Sequence, residues 1–290
     1  SKIEMGEVKV LQPGLFSSIQ DYGRFGNMKF GVPASGVMDR YAARTANLML
    51  RNNANDAVLE ITMMGPKLEF TAATKIVISG AYLSPKLNAE EVKNNTILEI
   101  AKGDILSFGR RAYGCRAYLA ITGGFTTEKV LGSKSWYEGI SKYQKLEKDL
   151  VLSYKEDLAG RIETNAGLKF NEDYLKTSEV EVYEGPEFKF LSETQKEHLR
   201  NSTFSIDQNN NRMAIQLQEQ LQNDLKPIIT GPVVPGTVQL TPSGKLIVLM
   251  RDCQTTGGYP RILQLSDKGI RTIAQKLTNE NINFSFQQSL

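Results

Sequence analysis

Histidine is nearly absent from this sequence, with His198 alone among 290 residues. A Ser-His-Asp or Cys-His arrangement would have to rest on that one imidazole. It lies in the polar stretch Thr194-Gln195-Lys196-Glu197-His198-Leu199, where a solvated helix surface is the expected setting. Cysteine is scarce too. Cys115 and Cys253 stand far apart, and each is expected to be a small core residue rather than a nucleophile or disulfide partner. A zinc site would need several His or Cys ligands, so no metal centre is expected.

Long apolar runs are also missing. The longest, such as Lys245 to Met250, are of strand length, far below the ~20 residues a membrane helix requires. The opening Ser1-Lys2-Ile3-Glu4 lacks the apolar core of a signal peptide. No charge sign dominates: 35 basic and 32 acidic side chains leave a formal net charge of +3, too even to imply nucleic acid. A cytoplasmic protein without membrane or nucleic-acid partners is therefore expected. Hydrophobic residues at 40% and charged residues at 23% fit a folded chain, long enough for two compact domains or one large one.

What the sequence does have is short strand-like runs: Val8-Leu11, Val58-Thr62, Lys75-Ser79, Thr96-Ile100, Arg116-Ile121, Val180-Tyr183, Thr237-Leu240, Lys245-Met250 and Asn281-Phe286. Most are rich in Val, Ile, Thr or aromatics and bounded by Gly, Pro or Asn. Helical periodicity predicts helices over about Arg40 to Leu50, Ser192 to Leu199 and Asp267 to Leu277. Few short helices among many irregular strands predict a mainly β protein, barrel or sandwich, rather than a doubly wound sheet. An internal echo adds to this. Leu59-Glu60-Ile61-Thr62 leads through Gly65-Pro66 to Leu68 and Phe70, as Val180-Glu181-Val182-Tyr183 leads through Gly185-Pro186 to Phe188 and Phe190. Each half then carries a T-G-G-aromatic turn, at Thr122-Gly123-Gly124-Phe125 and Thr256-Gly257-Gly258-Tyr259. Two related β-units would produce the echo and chance could as well. The expected division is 1–165, with the Gly-rich loops, and 166–290.

Two stretches concentrate residues suited to chemistry. The first is Gln20-Asp21-Tyr22-Gly23-Arg24-Phe25-Gly26, followed by Gly31-Val32-Pro33-Ala34-Ser35-Gly36-Val37-Met38-Asp39. Glycines this dense belong where backbone turns sharply or lies close to something. Gln20, Arg24 and Asp39 could hold a small polar substrate; equally, Asp21 could bond its own turn and Asp39 could cap the helix that follows. The second is Arg251-Asp252-Cys253-Gln254-Thr255-Thr256-Gly257-Gly258-Tyr259-Pro260-Arg261, at the exit of an apolar strand. Asp252, Gln254, Thr255 and Thr256 are the candidate catalytic or oxyanion-contacting groups. Gly257, Gly258 and Tyr259 are candidate substrate contacts, since a nest of backbone N–H groups binds anions. A plain β-turn explains the stretch as well. Arg212 is a candidate for a substrate carboxylate. No P-loop occurs, because Gly132-Ser133-Lys134-Ser135 lacks the upstream glycine.

Together these stretches resemble the family of the C-type subunit of 5-oxoprolinase, also described as the second-subunit type of allophanate hydrolase or the biotin-dependent carboxyltransferase domain; it includes the antagonist of a sporulation-kinase inhibitor. The resemblance rests on Leu11-Gln12-Pro13-Gly14-Leu15, Q-D-x-G-R-x-G from Gln20, and G-V-P-x-S-G-x-M-D from Gly31 to Asp39. It continues through Ala46-Asn47, Leu59-Thr62 with Gly65-Pro66, Arg116-Ala120, Gly123-Gly124-Phe125 and Leu131-Gly132-Ser133. Gly185-Pro186-Glu187, Val234-Gln239 and D-x-Q-T-T-G-G-Y-P from Asp252 to Pro260 complete it, in order over nearly the whole chain. The sequence departs from the family pattern at Tyr82 after Ala81, in the charged loop Trp136 to Asp149, and at Asn210-Asn211-Arg212-Met213-Ala214.

The resemblance implies a cyclophilin-like β-barrel architecture, assigned to the 166–290 unit. It implies one component of an ATP-dependent 5-oxoprolinase, a hydrolase that opens the lactam of 5-oxoproline to glutamate. Such an enzyme would use ATP with magnesium. It would need two partners, a homologous B-type subunit and a lactam-hydrolase A-type subunit. The alternatives are a regulatory binding protein that antagonises a kinase inhibitor and the carboxyltransferase half of a biotin-dependent urea or amide carboxylase. The chain is not expected to carry biotin itself, since Met28-Lys29 lacks the second Met of an acceptor.

Overall fold

The computed structural model describes residues 5–156 and 169–288. The chain divides into two compact units, one comprising Ser1–Arg24 and Ser35–Leu175, the other Phe25–Ala34 and Lys176–Leu290. The expected boundary at 165/166 lies outside the described residues.

The first unit is built on two antiparallel sheets. One has the order β11 (Val151–Lys155), β1 (Met5–Gln12), β4 (Lys67–Phe70), β9 (Ile105–Phe108), β6 (Pro85–Leu87) and β7 (Glu90–Glu91). The other runs β2 (Phe16–Gln20), β3 (Val58–Thr62), β10 (Tyr113–Ile121), β5 (Thr74–Tyr82) and β8 (Leu98–Ile100). The period of two along each strand decides what is buried where. Val8, Val10, Leu68, Phe70 and Leu106 from one sheet meet Ile19, Leu59, Ile61, Ile76, Ile78, Leu119 and Ile121 from the other in a single core. The alternate residues of the central strands, Val58, Val77, Tyr118 and Ala120, join Ala42, Ala43 and Ala46 of helix α1 (Arg40–Met49) and its C-cap Leu50 in a second core. That is why β5 and β10 read as near-continuous apolar runs, for both of their faces are covered.

The second unit is a closed seven-stranded barrel in the order β12 (Glu179–Glu184), β19 (Arg261–Leu265), β16 (Thr237–Leu240), β17 (Leu246–Leu249), β14 (Ala214–Leu217), β13 (Phe204–Asn210) and β20 (Asn281–Phe286). Neighbours are antiparallel except where β20 returns to β12 in parallel and closes the circle. Beside it lies a two-stranded piece of β15 (Gly231–Pro232) and β18 (Thr256–Gly257). The helices are short: α1, α2 (Asp173–Lys176), α3 (Glu193–Asn201, capped by a reciprocal Ser192 and Gln195 box) and α4 (Asp267–Ile273). None among the described residues is long and apolar enough to cross a membrane.

The sequence echo takes different structures in its two copies. After Gly65-Pro66 the chain enters β4, whereas after Gly185-Pro186 it turns through the 3₁₀ segment Phe188–Phe190. Gly123 and Gly124 adopt positive φ values of 76° and 72°, while the corresponding Gly257 pairs in β18.

Candidate functional site

In the first unit, Asp21 is the hub of the glycine-rich loop. Its Oδ1 accepts from Gly23 N (2.8 Å), Ser133 Oγ (2.5 Å) and Ser135 Oγ (2.8 Å), and its Oδ2 accepts from Lys134 N (2.8 Å). The segment Gly132-Ser133-Lys134-Ser135 thus cradles a carboxylate of its own chain. Gln20, expected as substrate support, is occupied in holding the loop: its Oε1 accepts from Gly36 N (3.1 Å), and its Nε2 donates to Ser18 Oγ (3.0 Å) and Trp136 O (3.2 Å). Arg24 is buried and donates to the carbonyls of Ser135 (2.5 Å) and Val130 (3.4 Å). A substrate carboxylate would have to compete with these. Gly36, at φ 100°, lies against Tyr22, and a Cβ there would stand 2.7 Å from the Tyr22 carbonyl carbon.

Asp39 caps α1, accepting from Ala42 N at 3.0 Å through Oδ1, and its Oδ2 accepts from Tyr174 OH at 2.5 Å. A second carboxylate unrecognised in the sequence lies close by. Glu60 Oε2 accepts from Met38 N and from Tyr118 OH, each at 2.8 Å, while Tyr118 OH accepts from Asp39 N at 2.8 Å. All three side chains are buried. Burial first, then the charges of Glu60 and Asp39, push the Tyr118 phenol well above its ordinary range, so it stays a proton donor. A glutamate inside the apolar strand Val58–Thr62 is the signal that could have found this cluster.

In the second unit the structure brings Arg212 and Asp252 together. The pair is buried and bidentate, with Nε to Oδ2 at 2.9 Å and Nη2 to Oδ1 at 3.0 Å, and Asp252 N also donates to Arg212 O at 2.9 Å. Each was expected to face substrate; here each is the other's partner and together they root the loop. Beyond that root, Gln254, Thr256 and Tyr259 are exposed, with Thr255, Gly257 and Gly258 partly so. The loop is tied down by Thr255 O accepting from Val233 N (3.1 Å) and Gly258 O accepting from Ile228 N (2.9 Å). Cys253 is buried, and burial pushes its thiol up to about 12, which removes it as a nucleophile.

A pocket of about 310 Å³ lies in this unit, lined by Glu187, Phe190, Leu225, Lys226, Ile228 and Pro260 among others. Glu187 in its lining belongs to a second bidentate pair. Arg261 Nε and Nη2 donate to Glu187 Oε2 and Oε1 at 3.0 and 2.9 Å, and Arg261 N adds a third bond at 2.9 Å. The Arg261 hydrogen bond, outweighing burial, holds the Glu187 carboxyl below its usual range. His198 is exposed on α3, with Ser202 Oγ 3.0 Å from its Nδ1, and Cys115 is buried as expected. Among the described residues no three His, Cys, Asp or Glu side chains converge as a metal site.

Gln20, Arg24 and Asp39 therefore belong to the first unit, and Arg212 with the 252–259 loop belongs to the second. The fold and these loops define a class: a β-protein whose chemical equipment is glycine-rich turns, ion pairs and amides. The family model "Carboxyltransferase domain, subdomain A and B" matches residues 30–286, and the chain belongs to that family. It is 30% identical to the C-type subunit of 5-oxoprolinase from Escherichia coli K12, over 96% of this chain and 90% of that one. The crystal structure of the K. lactis urea amidolyase superposes with a TM-score of 0.83 at 28% identity, covering 96% of this chain and 18% of that one. The crystal structure of TTHA0988, 24% identical with a TM-score of 0.86, shares the fold, and this chain spans 57% of its length.

Proposed function

We propose that the chain is one component of an ATP-dependent 5-oxoprolinase, active with a B-type and an A-type partner. The observation that carries the reading is the end-to-end match to the C-type component of 5-oxoprolinase, 90% of which this chain spans. Its relatives are parts of enzymes, and a relative lettered as one component of a set implies others. Within this chain, the exposed Gln254 amide, the Thr256 hydroxyl and the Gly258 backbone N–H supply donors that can stabilise an oxyanion as an amide carbonyl is activated. Asp252 and Arg212 act one step back, as the rigid root of that loop. Magnesium commonly takes one or two carboxylates with the nucleotide's phosphates. Magnesium would therefore enter with the nucleotide, as part of that substrate.

The test is ADP and glutamate release from 5-oxoproline by this chain purified with its B-type and A-type partners. Thr256→Ala, at an exposed position, should lower kcat by about 10- to 1000-fold if it contacts the oxyanion, with the melting temperature unchanged. Absence of turnover in every combination with partners rejects the reading. The urea amidolyase superposition favours a second reading, a carboxyltransferase half that moves carboxylate onto urea or a related amide. Urea-dependent decarboxylation of a carboxybiotin carrier would select it.

A further inference from the structure

Gln239 stands on β16, opposite Ile247 of β17 and Arg261 of β19. Strand alternation puts its side chain on the face opposite to Val238 and Leu240. It is 2% exposed, and among the described residues its Nε2 has no hydrogen-bond partner. A buried amide in that condition carries an uncompensated desolvation penalty, and folded proteins rarely keep one without use. Its direction is fixed by Gly257: a Cβ built there would run into Gln239 Nε2 and lie 3.3 Å from Val233 Cγ1. Glycine at 257 is thus what leaves room for the carboxamide.

What covers this amide is a light flap, made of residues 228–233 and 255–258. Its two strands pair over only two residues each. Pro232 faces Thr256 at a non-hydrogen-bonded pair, so the ladder itself is the exchange between Gly231 and Gly257, with Arg261 Nη1 adding a bond to Pro232 O at 3.4 Å. The backbone bonds from Val233 N and Ile228 N tie it down beyond that ladder, and Ile229, between them, is 96% exposed. Elements held by so few bonds open locally far below the global unfolding energy.

We propose that Gln239 is the recognition group of a ligand site between this flap and the strand face it covers, and that the ligand is a cis-amide of the lactam or urea type. A primary carboxamide offers N–H and C=O side by side, and a cis-amide offers C=O and N–H in the complementary order, so the two pair through a ring of two hydrogen bonds. The flap lifts to admit the ligand, and Gly257 and Gly258 settle back over it. The choice of a lactam rests on the 5-oxoprolinase reading; the site itself rests on the buried amide and its cover.

The experiment uses the full chain with 5-oxoproline, with 2-pyrrolidinone as the bare lactam and glutamate as the ring-opened control. Calorimetric titration is combined with hydrogen exchange at the backbone amides of Ile228, Val233 and Gly258. Both lactams should bind and slow exchange in the flap, and glutamate should do neither. Gln239→Leu should weaken lactam binding by at least about tenfold, the loss of a hydrogen-bonded pair, while keeping the melting temperature, since it removes an unpartnered amide. Gly257→Ala, which crowds chiefly the flexible end of Gln239, should weaken it too. Equal binding by wild type and Gln239→Leu, binding with flap exchange unchanged, or no lactam binding at all would overturn the proposal. Turnover by the assembled enzyme that Gln239→Leu leaves intact would overturn this site and keep the oxoprolinase reading. Lactam binding lost in Gln239→Leu, with no turnover in any combination of partners, would keep the site and overturn that reading.

Discussion

Two arginines of the second unit, Arg212 and Arg261, each close bidentately on a carboxylate, and the two pairs respond differently to perturbation. Arg212 and Asp252 are buried, so removing one partner strands a charge out of water, at a cost of about 3–5 kcal/mol. Asp252→Asn and Arg212→Ala should each lower stability in urea melts by that order, and the double variant should lose less than the sum. Activity lost in Asp252→Asn therefore reports the fold of the loop before it reports chemistry, and Thr256→Ala is the cleaner probe. Glu187 answers to pH instead. Its folded-state pKa lies below the unfolded one, so the charged form favours the fold. That contribution is full above the ordinary glutamate range and is lost as pH falls through the folded-state value. The stability gap between wild type and Glu187→Gln should be constant near neutrality and shrink in acid, as followed by urea melts at a series of pH values. Neither pair was legible in the sequence. Glu187 and Arg261 stand 74 positions apart and Arg212 and Asp252 40 apart, and no local spacing rule joins residues across a barrel.

Elements are easier to read than side-chain partners. Val58–Thr62, Thr237–Leu240 and Asn281–Phe286 fall where β-branched and aromatic patterns place them, and α1 runs Arg40–Met49 against an expected Arg40 to Leu50. Strands such as β6, β7 and β9, which the pattern does not reveal, are two to four residues long and partly polar, too short for a period to show. The glycine-rich stretch is backbone in need of room, as its composition suggests, and Gly36 shows why. Gly36→Ala would force a positive φ on a side chain and drive its Cβ into Tyr22, with no flexible atom to yield. It should leave little soluble folded protein, whereas Gly26→Ala, with open space around its Cβ position, should fold with only a modest fall in melting temperature. Asp39, offered as either cap or substrate contact, does cap α1; Asp39→Ala should cost ~1–2 kcal/mol through the cap and more through Tyr174.

At the scale of the molecule, the barrel depends on one late strand. β20 pairs with β13 on one side and β12 on the other, so deleting residues 281–286 leaves two long edges unpaired. Such a variant should aggregate in light scattering at concentrations where wild type stays dispersed. A mainly β chain was legible from composition and strand pattern, but barrel closure was not, because the parallel pairing of the first and last strands of the barrel leaves no mark on either segment. The same closure has a meaning in time. Six strands of the barrel must wait, edges open, until the seventh has left the ribosome, so this half of the chain is committed to slow, non-local folding and to a window in which a chaperone, or a partner already made, can reach it first.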